Sequence, residues 1–166
     1  MIHPAALELI KEFEDCHLKA YKCPANVFTV GYGTTRIGNR SVREGDVLFS
    51  EKEAEKILVE QLEREYLPKM KIIPGWDKMN ANQQSALLSF AYNLGAHFYG
   101  SVGFETITKH LRLKDWDAIP RVLELYVKGG GKTLPGLVRR RKREGELWRT
   151  PVESTGTEGC LGLKEK

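Results

Sequence analysis

"FEDCHLKAYKCPANVFTVGYGTT", residues 13–35, is the stretch on which the fold turns. Just upstream, apolar residues at positions 5, 6, 9, 10 and 13 recur with a helical period, and Pro4 suits a first helical turn. That spacing predicts a helix ending near Glu14. Inside the stretch the character changes. "LKAY" and "VFTVGYG" are short and β-rich, and "KCPAN" between them has the composition of a turn. The expectation is a β-hairpin, with room for a third short strand before Gly45. An acid at the helix end, Glu14, and a thiol and a hydroxyl on the opposing arms, Cys23 and Thr29, thus fall close together in the chain.

Beyond the hairpin the pattern is helical. "SEKE" at 50–53 reads as a capping box opening a helix to about 65, with Ile57, Leu58, Leu62 and Tyr66 on its apolar side. Pro68 and Pro74 bound a connector. "NANQQ" then starts the most apolar helix, "SALLSFAYNLG", which Gly95 stops. Shorter helices are predicted near 103–112 and 116–127, "KGGGKTLPG" as a loop, and residues 137–148 as a last helix. The reading is α+β, a small N-terminal β-lobe and a larger helical lobe in one domain, 1–150, followed by a disordered tail, 151–166.

Composition narrows the classes. Of 166 residues, 41% are hydrophobic and 29% charged, as in ordinary globular domains. A net charge of +4 favours a polyanionic partner: nucleic acid, an acidic wall polymer or an anionic membrane surface. Cysteines at 16, 23 and 160 do not form a secreted disulfide framework, and the histidines at 3, 17, 97 and 110 join no metal-binding spacing. No metal and no cofactor is expected. "MIHPAALELIKEFED" lacks a basic n-region, and Glu8 and Lys11 interrupt its apolar run, so no signal peptide is read and no membrane insertion is expected.

Three further segments make the Glu14, Cys23 and Thr29 spacing specific. "GYGTT" follows at once, "SALLSFAYNLGA" lies in the middle, and "KGGGKTLPGLVRRRKREGELW" lies some 100 residues downstream. In this order, over residues 4–150, the chain resembles the phage endolysins, or lysozyme-like glycoside hydrolases, in the variant with Glu, eight residues, Asp or Cys, five residues, then Thr. The resemblance implies a lysozyme-like fold with a cleft between its lobes. It implies a muramidase that cuts the β-1,4 bond between N-acetylmuramic acid and N-acetylglucosamine in bacterial peptidoglycan. With no export signal read, the chain is expected to be a monomer that stays in the host cytoplasm until a holin-type pore gives it access to the wall.

Chemistry fits that implication. Glycosidic cleavage needs a proton on a poor leaving oxygen while positive charge grows on the sugar ring. Partial burial at a helix end favours the protonated, donating form of a carboxyl such as Glu14. Cys23 and Thr29 would hold a water on the other face of the sugar; Thr29 both donates and accepts without carrying charge. Cys23 stands where a carboxylate is the usual base, and weak base, water-positioning group and nucleophile all stay open for it. The resemblance puts Gly31, Tyr32 and Gly33 on the cleft floor, and Tyr92 and Asn93 along the sugar, although a core tyrosine serves equally for Tyr92. It also turns one arginine, Arg140 or Arg141, toward Glu14 to tune the acid, with Glu144 four residues beyond Arg140 as its partner.

The sequence departs from the family at Asp15, where glycine is common, and at Thr34, where a histidine usually braces the lobe. A different local brace is expected there. Cys16 lies seven residues before Cys23, and a disulfide between them is conceivable in an oxidising space. Three rival readings remain: a lytic transglycosylase on the same substrate, a non-catalytic wall-binding protein, and nucleic-acid binding through "RRRKR" at 139–143, for which a merely solvated face is the plainer reading.

Overall fold

A computed structural model describes residues 1–152, so the predicted tail lies almost wholly outside the described residues. Helix α1 spans Pro4–Phe13 and ends as expected, with Glu14 as its cap and the Glu14 N–H bonded to the Ile10 carbonyl. The chain then forms the hairpin β1 (His17–Lys22) and β2 (Phe28–Gly31), antiparallel, with Tyr21 opposite Thr29 and a bulge between His17 and Tyr21. A second small hairpin pairs β3 (Arg36–Ile37) with β4 (Arg40–Ser41). Residues 46–48 close the lobe along the free edge of β1, where Ala20 N–H bonds Asp46 O and Leu48 N–H bonds Leu18 O.

Helix α2 (Glu51–Gln61) opens on Ser50, whose hydroxyl accepts the Glu53 N–H, while the Glu53 carboxylate accepts the Phe49 N–H. It does not stop near 65. The chain continues through a π-helical segment, 62–66, into α3 (Leu67–Met70), passing Pro68. Proline lacks an N–H, and its ring clashes with the carbonyl four residues back, here Arg64. Widening the turn before it, with Leu67 N–H reaching back five residues to Leu62 O, lets the helix survive the proline.

Helix α4 (Ala81–Leu94) begins on a reciprocal cap, in which Asn80 Oδ1 accepts from Gln83 N–H and Gln83 Oε1 accepts from Asn80 N–H. It is the central pillar, with residues 85–91 all buried, and it packs against α1 and α7 (Pro135–Arg149). Helices α5 (Glu105–Arg112) and α6 (Ile119–Leu123) complete the helical lobe. The 116–127 helix is broken: a 3-10 turn over Trp116–Ala118 precedes α6, which ends at Leu123. The expected loop at 128–136 contains a two-residue hairpin, β5 (Lys128–Gly129) and β6 (Lys132–Thr133). Gly130 and Gly131 both take positive φ, +60° and +80°, as its turn demands. Among the described residues no helix is long and apolar enough to cross a membrane.

Candidate active site

Glu14 stands where α1 gives way to the hairpin, one-quarter exposed, beside a cavity of about 900 Å³. Phe13, Asn93, Leu137 and Arg140 share the cavity wall with it; Cys23 and Thr29 do not line it. The helical lobe grips Glu14 through a single cation: Arg140 Nη1 donates to Glu14 Oε2 at 2.8 Å. Arg140 is 3% exposed and engaged through all three guanidinium nitrogens, donating also to the Ser89 carbonyl (3.2 Å), the Ser89 hydroxyl (3.3 Å) and Glu144 Oε2 (3.4 Å). Phe13 covers it, with 5.6 Å between ring centroid and guanidinium carbon.

Of the two candidate arginines, then, Arg140 reaches the acid. Arg141 turns away from it into the core, where it donates to Tyr126 O (3.1 Å), to Glu144 Oε1 (2.5 Å) and to Asn93 Oδ1, under the Phe90 ring. Acid tuning by Arg141 is therefore corrected: its burial braces Asn93 and α4. Glu144 is wholly buried and binds both arginines and the Ser89 hydroxyl. Burial pushes its carboxyl up and the Arg141 guanidinium down, each against the attraction of the other. The "RRRKR" run is thus no continuous cationic face. Arg140 and Arg141 are internal, Arg143 pairs with Glu12 and Glu146, and Arg139 and Lys142 alone of the five are exposed without an acidic partner among the described residues.

Opposite the helical lobe, the hairpin brings Cys23 and Thr29 together. The turn from Cys23 to Val27, with Asn26 at φ +66°, directs the backbone N–H groups of Val27 and Ala25 at the Cys23 sulfur, and the Thr29 hydroxyl adjoins it. The two amides, Val27 first, pull the thiol below its ordinary value. Thr29 is buried and donates its hydroxyl proton to the Val27 carbonyl at 3.0 Å.

The glycines and tyrosines sort differently from expectation. Gly31 (φ +68°) backs onto Ala54, Ile57 and Leu48, and a Cβ at Gly33 (φ +100°) would meet the Tyr92 hydroxyl at 3.0 Å. Their close approaches are to protein rather than to open cleft. Tyr32 is corrected as a floor residue: its side chain is buried beside the Cys16 thiol, and its carbonyl accepts the Tyr92 hydroxyl at 2.6 Å. Tyr92 leans on Tyr66, and burial together with the nearby Glu14 carboxylate pushes its phenol up. Thr34 has the replacement brace, its buried hydroxyl donating to Gln61 Oε1 at 3.1 Å. Cys16 and Cys23 are both free, Cys16 beside Tyr32 and Cys23 beside Thr29, so the Cys16–Cys23 disulfide is not formed. Strand β1 lies between the two.

Ser89 escaped the sequence reading, although a serine within so apolar a helix was a usable signal of a buried polar partner. Glu144 was visible as a helical neighbour of Arg140, but not as the anchor of two arginines.

Residues 11–144 match the family model described as phage lysozyme. The chain is 33% identical over 156 residues to an endolysin of Bacillus phage B103, covering 90% of this chain and 54% of that one, so it spans about half of that relative's length. It is 31% identical over 153 residues to an endolysin of Acyrthosiphon pisum secondary endosymbiont phage 1, covering 89% and 97%. The fold superimposes on a P22 phage lysozyme with a TM-score of 0.72 at 26% identity, covering 90% of this chain and 99% of the other. The family model takes in most of the chain and the fold agrees with the P22 lysozyme: the chain belongs to the phage lysozyme family.

Proposed function

We propose that this chain hydrolyses the β-1,4 bond between N-acetylmuramic acid and N-acetylglucosamine in peptidoglycan, with Glu14 as general acid. The observation that carries this reading is the Arg140–Glu14 contact at the lobe junction. Arg140 occupies one carboxyl oxygen and is itself immobilised by Ser89 and Glu144, so the other oxygen is free to present a proton at a fixed point. When the proton leaves with the glycosidic oxygen, the same cation stabilises the carboxylate that remains. On the opposite side, Thr29 has given its own proton to Val27, so its hydroxyl oxygen accepts from a water. The Cys23 sulfur, its thiolate favoured by two amides, accepts the second water proton as oxygen attacks the anomeric carbon. In this reading Glu14 does most of the work, and Cys23 tunes it.

The test is wall lysis by purified variants. Glu14→Gln should lose activity by at least about 100-fold, because positioned proton transfer supplies roughly that much rate. Cys23→Ser should keep a measurable fraction. Equal and complete loss in both would sink the ranking. A product lighter by one water than the hydrolytic fragment would instead identify a transglycosylase.

A further inference from the structure

The hairpin brings one more side chain toward the reaction centre than the trio above. Tyr21 sits directly opposite Thr29 across β1 and β2, and residues so paired in antiparallel strands present their side chains on the same face. Cys23 follows two residues later, in the same register, its N–H bonded to the Val27 carbonyl. Lys22 and Phe28 pair on the other face, with the ammonium 5.3 Å from the ring centroid. Tyr21, Cys23 and Thr29 therefore form one surface. The Tyr21 ring is 37% exposed there and rests on His17, with ring centroids 4.3 Å apart. The bulge between these two residues brings the rings together.

The phenol stands among acidic groups. Burial raises it above the ordinary tyrosine value, and negative charge on Cys23, Glu14 and Asp15 adds to the effect, so it keeps its proton. That proton has a use. Thr29 has spent its own on Val27, the Cys23 sulfur accepts from amides, and Glu14 has only acceptors once it has acted. Around a sugar bound here these three groups are acceptors, two of them turned to the water; Tyr21 is the donor beside them.

We propose that Tyr21 is a substrate-binding residue whose hydroxyl donates a hydrogen bond to an oxygen of the sugar lying between Glu14 and the hairpin, fixing that ring against the water-holding pair. The inference rests on the glycosidase reading and deepens it.

The test removes the hydroxyl alone. Tyr21→Phe in the full chain keeps the ring and its His17 contact. On purified peptidoglycan its kcat/KM should fall about tenfold or more, with an unchanged thermal midpoint. A second arm measures binding of a soluble glycan fragment by calorimetry. Tyr21→Phe in a Glu14→Gln background should weaken Kd about fivefold or more relative to Glu14→Gln alone. If the variant equals the parent in kcat/KM and Kd, the inference fails while the parent's lysis leaves the hydrolase reading intact. If the parent lyses nothing, the hydrolase reading fails, and the Kd comparison still decides whether Tyr21 meets the sugar. Loss of activity with a lowered midpoint and an unchanged Kd would overturn the inference in favour of a structural role.

Discussion

At Cys23 the chain sets a thiol where its family often sets a carboxylate, and then compensates with backbone. The Val27 and Ala25 amides favour the thiolate, whereas burial pushes Cys16 the other way despite its tyrosine neighbour. The two cysteines should therefore differ in reactivity. Under limiting iodoacetamide near neutral pH, peptide mapping should find Cys23 alkylated well before Cys16. Because the backbone amides lower the folded thiol, the pH midpoint of that reaction should lie below that of Cys23 in the unfolded chain. A midpoint at or above it would remove the water-activating role given to the sulfur. The type and place of this residue were plain in the sequence, but its electrostatics were not. They arise from the turn, where Asn26 in a left-handed conformation aims the amides inward. Tyr32 shows the opposite failure: its place beside Gly33 was legible, but a strand's alternation alone does not say which face meets the cleft.

Between elements, the seam of α4 and α7 holds the acid in place. Ser89, Glu144, Arg140 and Glu14 form a relay from the core to the cleft, and Glu144 is its buried end. Glu144→Gln should cost about 3–5 kcal/mol in denaturant unfolding, since it leaves the buried Arg141 guanidinium without a carboxylate and Arg140 with Glu14 alone. The surviving folded fraction should also lose activity, as Arg140 is no longer fixed. A loss below 1 kcal/mol would mean that the arginines find water instead. Helix identity was largely legible here, because apolar period, caps and glycine stops are local signals. The choice of Arg140 over Arg141 was not, since adjacent residues on a helix diverge by about 100° and the partners lie 48 to 126 residues away. Likewise Pro68 read as a stop because its remedy, a widened turn upstream, depends on packing on both sides.

Across the whole molecule, charge and cavity meet on one side. The net charge is +4, and Arg139 and Lys142, both lining the cavity beside Glu14, are exposed without acidic partners among the described residues. An anionic wall should be drawn to that side through forces that salt screens. Raising ionic strength from about 0.05 to 0.5 M should raise KM for wall lysis several-fold and leave kcat nearly constant. A parallel fall in kcat would place the salt-sensitive contact within the reaction itself. The continuous run of helix from 51 to 70 has a consequence of a different kind. Its π-helical turn holds one more residue than an ordinary turn would, so the flanking segments already sit in the phase that a shorter helix would have. Chain length is therefore negotiable at 62–66 in a way it is not elsewhere along this rod: dropping one residue there would tighten the coil against Pro68 rather than rotate one lobe's face away from the other.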